Sequence, residues 1–224
     1  LTQMRFKLNP YDPCVANSII DGTQYTICWY VDDLKIFHKK EAVVSDIINK
    51  LETKFGKMTI IRGKLHTFVG MDIELTEDKK VKFFMKEYIK ECIEAFEQTG
   101  DKIKGRGNTP ATNTLFEVNE NVNELDSKKS EVFHHILSKL LYVSKRARID
   151  IDLAISFLCT RVSKSTEDDW NKLRRVLVYL KHTKNMPRVI VASNLDVLHT
   201  WIDASYAIHK DMRGHTKGVA SMGT

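Results

Sequence analysis

The sequence predicts an α+β fold in which antiparallel strands and helices come in successive blocks. Three β-rich runs joined by short turns occupy residues 15–37, and three helical periodicities follow one another after residue 126. The chain has 224 residues, of which 42% are hydrophobic and 29% charged, the composition of a globular protein with a sizeable core. Length alone predicts one to two domains.

Residues 15–37 predict three strands joined by two tight turns. Apolar and polar side chains alternate from Tyr25 to Trp29, which is the period of a strand. Asp21-Gly22 precedes this strand, and such a dipeptide favours a tight turn with positive φ. A second turn, Tyr-Val-Asp-Asp at 30–33, leads into the third strand. We therefore expect a hairpin with two adjacent carboxylates at its tip.

A helix is predicted at 41–55, where six apolar side chains share one face and Gly56 can end it. Beyond it, the periodicity changes to that of strands and then back to that of a helix. The predicted elements are strands at 67–75 and 80–85 and a helix at 86–98.

Residues 101–126 predict a long connection between two structural units, because Gly, Pro and Asn recur along them. Three helices are predicted beyond this connection. We expect Asp150 to cap the second helix, and Ser165 with Asp168 to form a capping box at the third. From residue 189 the pattern is again that of strands, which predicts the beginning of a third unit.

Positive charge is concentrated in one stretch of the chain. Residues 127–188 carry 14 Lys and Arg against 6 Asp and Glu, within a chain whose net charge is +6. On the last predicted helix, Lys172, Arg174, Arg175 and Lys181 share a face. Such a face can follow a phosphate backbone with salt-sensitive, sequence-independent affinity, or it can simply be solvated. The charge pattern leaves both interpretations open.

The four cysteines are far apart and form no Cys-x-x-Cys pair, which disfavours a zinc site or a disulfide framework and favours a reducing compartment. No apolar stretch approaches the ~20 residues of a membrane span, and no signal peptide begins the chain. We therefore expect a cytoplasmic protein. Because the first residue is Leu1 rather than Met, we expect an internal piece of a longer protein.

The Tyr-Val-Asp-Asp turn carries the clearest chemical signal. Asp32 and Asp33 repel each other when ionised unless a cation lies between them. Magnesium prefers one or two carboxylates together with water and substrate phosphates, the arrangement that nucleotidyl transfer uses. An ordinary polar turn is the alternative, since Asp is common in turns. The position between two strands favours a catalytic hairpin.

These segments, in their order, resemble the C-terminal part of a copia-type retrotransposon polyprotein, from the reverse transcriptase palm and thumb into the start of RNase H. Asp-Pro-Cys at 12–14, a strand, a turn and Tyr-Val-Asp-Asp-Leu at 30–34 resemble the approach to the polymerase active site. Phe-Val-Gly-Met-Asp-Ile at 68–73 resembles the strand that helps to hold the primer end.

The second half of the chain resembles the family in the order and spacing of its motifs. Ile149 departs from the pattern, because the family usually has proline there. Asp203, in Asp-Ala-Ser-Tyr, resembles the first catalytic aspartate of the RNase H, although a turn residue at a strand end is the alternative. The other matching motifs are Leu-Leu-Tyr at 140–142, Arg-Ile-Asp-Ile at 148–151, Trp170 and the segment 174–181.

The resemblance implies a division into four parts and a role for individual residues. Two catalytic Mg²⁺ ions are expected, with Mn²⁺ as an alternative, and Asp32 is the first expected metal ligand and Asp33 a second or outer ligand. The expected nucleic-acid contacts are Tyr30 and Val31 beneath the primer-terminal pair, Val69 and Gly70 at the primer, and Lys172, Arg174, Arg175 and Lys181 on phosphates. The first part, residues 1–100, is a partial palm built as an antiparallel sheet with helices. It is followed by a connecting loop at 101–126, a basic helical thumb or connection at 127–188, and the truncated start of an RNase H-like α/β domain at 189–224.

The implied reaction adds a deoxynucleotide to a primer 3′ end on an RNA or DNA template. Its partners are the template-primer, deoxynucleoside triphosphates, and the upstream fingers and downstream RNase H segments of the same polyprotein, without a membrane. Cytoplasmic virus-like particles and nuclear entry are further expectations. The family's remaining catalytic aspartate belongs to a strand upstream of the hairpin, so we expect neither activity to be complete in these 224 residues.

Three interpretations therefore compete. The first is a piece of an active reverse transcriptase whose other parts lie outside this chain. The second is an inactive remnant that only binds nucleic acid through its basic thumb. The third is an unrelated α+β interaction protein that matches the motif by chance, and such a protein should lack affinity for nucleic acid even at low salt.

Overall fold

The computed structural model describes residues 4–119, 121–194 and 196–223. It confirms the predicted α+β class, because helices and antiparallel strand pairs are both present. The chain forms two compact units, one ending at Val69 and the other beginning at Gly70. The first and last predicted parts include residues 1–3 and 224, which lie outside the described residues.

The first unit is an antiparallel sheet with a helix on one face. Tyr25 and Ile27 of the sheet share a core with Ile47 and Leu51 of the helix. The strands follow one another across the sheet in chain order. The elements are β1 (Lys7–Leu8), β2 (Val15–Ile20), β3 (Thr23–Tyr30), β4 (Asp33–Phe37), the helix α1 (Glu41–Phe55) and a further strand, β5 (Leu65–Phe68).

Asp21 and Gly22 form the turn between β2 and β3, as predicted. Their φ angles are +50° and +70°, and Ile20 pairs with Thr23 on either side of them. Asp and Gly adopt this left-handed conformation at low cost. This turn is therefore relaxed, and it provides a comparison for the second hairpin of the same sheet.

The second unit combines helices with short antiparallel strands. Its elements are β6 (Met71–Leu75), β7 (Val81–Phe84), α2 (Lys86–Glu97), α3 (Ser127–Arg146), α4 (Asp152–Cys159), α5 (Glu167–Thr183), β8 (Arg188–Ile190), β9 (His199–Ser205) and β10 (His215–Ser221). β7 lies between β6 and β8, antiparallel to both, while β9 and β10 pair with each other. The predicted boundary at residues 188 and 189 falls inside β8, a strand of this unit.

The helices of the second unit enclose a continuous apolar core. Phe133 and Leu140 of α3 and Leu177 of α5 are fully buried in it. Phe96 of α2 stacks on Trp170 of α5, with 4.4 Å between the ring centroids. Across the described residues, no helix is long and apolar enough to cross a membrane.

The described residues between 101 and 126 contribute side chains to this core. Ile103, Leu115 and Leu125 are buried in it, and the indole of Trp170 donates a hydrogen bond of 3.0 Å to the Asp101 carboxylate. The segment was predicted to connect two structural units, but it lies wholly inside the second unit. The division of the chain lies instead between Val69 and Gly70.

The predicted capping box exists one residue later in the chain. The Thr166 hydroxyl accepts a hydrogen bond from the Asp169 amide at 3.4 Å, and the Asp169 carboxylate accepts one from the Thr166 amide at 3.0 Å. Ser165 does not cap the helix, because α5 begins at Glu167 with Thr166 as its N-cap, and the Ser165 hydroxyl lies 3.2 Å from that of Ser130. The prediction of Ser165 with Asp168 is therefore wrong in register.

A buried ion pair fixes the chain between α3 and α5. Arg148 is only 1% exposed, and its Nε and Nη2 donate to the two carboxylate oxygens of Asp150 at 2.9 and 2.7 Å. The same guanidinium donates to the carbonyl and hydroxyl of Thr183, at the end of α5. Tyr179 donates a further hydrogen bond of 2.8 Å to Asp150.

These contacts explain why Asp150 does not cap a helix, contrary to the prediction. Its carboxylate is occupied by Arg148 and Tyr179, and α4 begins only at Asp152. Burial opposes ionisation of Asp150, but hydrogen bonds from Arg148 and Tyr179 outweigh burial and hold its pKa below the ordinary value.

Asp150→Ala should strongly destabilise the second unit, because it leaves the Arg148 guanidinium buried and unpaired. We expect the free energy of unfolding, measured by urea denaturation, to fall by about 3–5 kcal/mol. Tyr179→Phe removes one hydrogen bond to the same carboxylate and should cost about 1 kcal/mol. Since the folded pKa of Asp150 is lowered, its contribution is present above the ordinary carboxyl pKa and lost as the pH falls through the folded value. Equal, small losses in both variants would contradict this account.

Candidate functional site

The structure places Tyr30, Val31, Asp32 and Asp33 together at the tip of the β3–β4 hairpin. Tyr30 pairs with Asp33, so Val31 and Asp32 alone form the connection. Val31 is 85% exposed and Tyr30 is 58% exposed. The exposed side chains of Tyr30 and Val31 therefore lie next to two carboxylates in the sequence of the turn.

The carboxylates of Asp32 and Asp33 are both exposed. Within the described ranges, neither takes part in a hydrogen bond or an ion pair, unlike Asp21 in the other hairpin, which pairs with Lys40 at 2.7 Å. Their oxygens are the ligand type that Mg²⁺ prefers, so the donor set fits this ion. The residues that the structure describes include no group of three or more His, Cys, Asp or Glu side chains that could hold a metal.

The backbone of the hairpin tip is strained. Val31 has a φ of +55°, whereas Asp32 is not in the positive-φ region, a pattern that resembles a type II′ turn with valine where glycine is usual. Positive φ in a β-branched residue is an outlier that costs about 1–3 kcal/mol. Among the described residues, Val31 and Val69 are the only β-branched residues with positive φ.

The carboxylate of Asp33 lies on the sheet face that α1 does not cover. Cys28 pairs with Lys35 and Tyr30 pairs with Asp33, so these four side chains alternate with the buried ones. Burial lowers the pKa of Lys35, and its ammonium lies 5.9 Å from the Phe37 ring centroid. Lys35 and Asp33 therefore lie on the same face of the sheet.

Val69 and Gly70 connect β5 to β6, and both have positive φ, +51° and +70°. A Cβ atom on Gly70 would lie 2.7 Å from Cε2 of Tyr88. The sequence suggested that a glycine here lets the backbone approach a primer. The structure gives a second reason for the glycine, because the Tyr88 ring occupies the space beside it.

The four predicted cations of α5 differ in their surroundings. Lys172 pairs with Asp168 at 2.9 Å and also donates to the Glu117 carbonyl. Arg175 donates to the Thr109 hydroxyl at 2.9 Å, and Lys181 pairs with Glu97 at 3.2 Å. Arg174 is partly exposed. A phosphate would therefore compete with protein groups at Lys172, Arg175 and Lys181.

Asp203 lies inside β9, directly opposite Lys217 of β10, and it is exposed. It is therefore a strand residue rather than a turn residue at a strand end. The Lys217 ammonium is directed elsewhere, to the Ile149 carbonyl at 2.9 Å and to Asp152 at 3.5 Å. The hydrogen bonds from Lys145 and Ser144, with the charges of Lys217 and Lys145, outweigh the burial of Asp152 and keep its pKa low.

The sequence patterns did not single out Arg146, at the end of α3. Its guanidinium lies 3.5 Å from the centroid of the Tyr142 ring. An aromatic residue followed four positions later by arginine on one helix is the signal that could have found this contact.

Comparison with known proteins adds no assignment to this geometry. No family model matches the chain, and no solved structure matches it.

Val31→Asn should stabilise the first unit, because asparagine adopts positive φ more readily than valine. We expect the free energy of unfolding to rise by about 1 kcal/mol, as part of the strain is released. The measurement is urea denaturation. Asp21→Asn, in the relaxed turn, is the control and should leave stability nearly unchanged, because the ion pair with Lys40 that it removes is exposed. A destabilised Val31→Asn variant would show that the tip is not strained.

Gly70→Ala should destabilise the second unit through both its backbone and its neighbour. The positive φ costs about 1 kcal/mol for alanine, and displacement of the Tyr88 ring adds about 1–3 kcal/mol. Gly100→Ala is the matched control, since Gly100 has a φ of +95° but nothing within 4 Å of its Cβ position. Urea denaturation of both variants separates the two terms, and equal losses would argue against the Tyr88 contact.

Proposed function

We propose that this chain is part of the RNA-directed DNA polymerase of a copia-type retrotransposon, with the β3–β4 hairpin carrying its metal-binding carboxylates. The supporting observation is the backbone of Val31. A residue that is 85% exposed bears a cost of about 1–3 kcal/mol directly before two carboxylates that have no partner among the described residues. A turn that only joined two strands would favour glycine or asparagine at this position.

Asp32 is the first ligand in this proposal, and Asp33 is a second or outer ligand. Bound Mg²⁺, or Mn²⁺, supplies activation of the primer hydroxyl and stabilisation of charge on the leaving pyrophosphate. No ion pair has to be broken before Asp32 or Asp33 binds a metal ion, because neither forms one within the described residues. Tyr30 and Val31 present exposed apolar surface on which a primer-terminal base pair can rest.

The remaining assignments follow from the same proposal. The first unit is part of the palm, Val69 and Gly70 contact the primer, and the helices of the second unit form the thumb or connection. Asp203 on β9 belongs to the start of an RNase H-like domain. The partners are template-primer, deoxynucleoside triphosphates, an upstream fingers segment with a further aspartate, and a downstream RNase H segment, in the cytoplasm.

A remnant that only binds nucleic acid is the second candidate. It is favoured by the concentration of positive charge between residues 127 and 188, which needs no catalytic carboxylate. It gives no reason for the strained Val31, and the polymerase is therefore the better supported function.

Primer extension on a primed RNA template with Mg²⁺ tests the proposal, using the chain alone and the chain joined to an upstream fingers segment. Asp32→Asn should lower the extension rate of the joined protein by about 10²-fold or more, because a metal-binding carboxylate is lost. Asp46→Asn, which alters an exposed carboxylate paired with Lys50, should leave the rate within about twofold. If the joined protein binds primed template but neither form extends it, the remnant interpretation replaces the polymerase.

A further inference from the structure

Tyr88, Tyr142 and Arg146 form an aromatic–cation cluster where α2 meets α3. The rings of Tyr88 and Tyr142 are nearly parallel, at 19°, with centroids 5.5 Å apart. The guanidinium carbon of Arg146 lies 3.5 Å from the Tyr142 centroid. Tyr88 also lies against Gly70, so the cluster adjoins the turn that precedes β6.

Arg146 keeps hydrogen-bond donors available in this position. A guanidinium that stacks through its face retains its N–H groups around the edge of its plane. One of them is 3.4 Å from the Tyr142 carbonyl, and within the described residues no carboxylate pairs with Arg146. Three lysines of the same helix are instead paired: Lys129 with Asp101 and Glu167, Lys139 with Glu91, and Lys145 with Asp152.

A second guanidinium is anchored at the same end of α3. Nη1 of Arg188, on β8, donates to the carbonyl of Arg146 at 3.1 Å and approaches that of Lys145 at 3.5 Å. Arg188 likewise has no carboxylate partner in the part of the chain that the structure describes. Within the described residues, the guanidinium groups of Arg146 and Arg188 are thus held at the C-terminal end of α3 without a carboxylate partner.

We propose that Arg146 and Arg188 bind the phosphate backbone of a nucleic-acid strand. Guanidinium groups recognise phosphate through paired hydrogen bonds, and the contact with Tyr142 holds Arg146 before the ligand arrives. The choice of nucleic acid among polyanions rests on the proposed function. Lys172 and Lys181 of α5 are less suited, since each is already paired with a carboxylate, that of Asp168 or Glu97.

The test measures binding of the full chain to fluorescently labelled primed RNA template and to single-stranded DNA, by anisotropy at several salt concentrations. Arg146→Ala and Arg188→Ala should each weaken binding several-fold and reduce the slope of log affinity against log salt by about 0.7–0.9 per lost phosphate contact. Arg106→Ala removes the same charge from an exposed position of the same unit and should leave the slope unchanged. Arg146→Lys keeps the charge but not the paired donors, and it should recover only part of the affinity.

A purely structural role of these arginines gives a different result. Arg146→Ala would then lower the urea midpoint without changing the salt slope of the protein that remains folded, and this outcome overturns the proposal. Equal losses for Arg146→Ala and Arg106→Ala also overturn it, because they indicate bulk charge. Binding to vesicles of anionic phospholipid, without binding to nucleic acid, overturns the choice of partner.

The binding experiment and the polymerase assay can fail independently of each other. If no form of the protein extends a primer but Arg146→Ala selectively reduces the salt slope, the phosphate site stands and the polymerase does not. If extension depends on Asp32 while Arg146→Ala and Arg188→Ala bind as the unsubstituted chain does, the polymerase stands and this site is rejected.

Discussion

The buried charge of Arg148 is the constraint on which the second unit depends. An unpaired guanidinium in an apolar core would cost several kcal/mol, so the chain must bring Asp150 and the end of α5 to it. This requirement fixes the reversal directly after α3. The helix end fixed in this way carries Arg146, whose carbonyl accepts a hydrogen bond from Arg188. One structural ion pair thereby positions two guanidinium groups that have no carboxylate of their own among the described residues.

In the first unit the candidate site lowers stability, whereas in the second unit a stabilising ion pair positions the guanidinium groups. Its two hairpins belong to one sheet, yet Asp21-Gly22 is well suited to its turn and Val31-Asp32 is not. The cost at Val31 is carried by the packing of β3 and β4 against α1. A disfavoured backbone conformation at an exposed residue beside two exposed carboxylates is the kind of feature that function rather than folding maintains.

Local patterns predicted the local structure well. The apolar face of α1 and its stop at Gly56 predicted residues 41–55, and Asp-Gly predicted the relaxed turn. The prediction of the capping box was one residue out, and the Ser165 hydroxyl lies instead beside that of Ser130, 35 residues earlier in the chain. Asp150 was misassigned because its carboxylate is occupied by Arg148, two residues away, and by Tyr179 on another helix. Errors arose where a distant segment competed for a local hydrogen-bonding group.

The sequence pattern of positive charge likewise does not show which cations have a partner from a distant segment. Lys181 looks equivalent to Arg146 in the sequence, but its carboxylate partner Glu97 is 84 residues away, whereas Lys172 pairs with Asp168 on its own helix. A cation that already has a carboxylate must give it up to bind phosphate, and part of the gain is lost in doing so. A cation held by an aromatic ring and by carbonyls gives up nothing. For a basic protein, the number of uncompensated and immobilised guanidinium groups is therefore a better guide to a polyanion site than the number of positive charges.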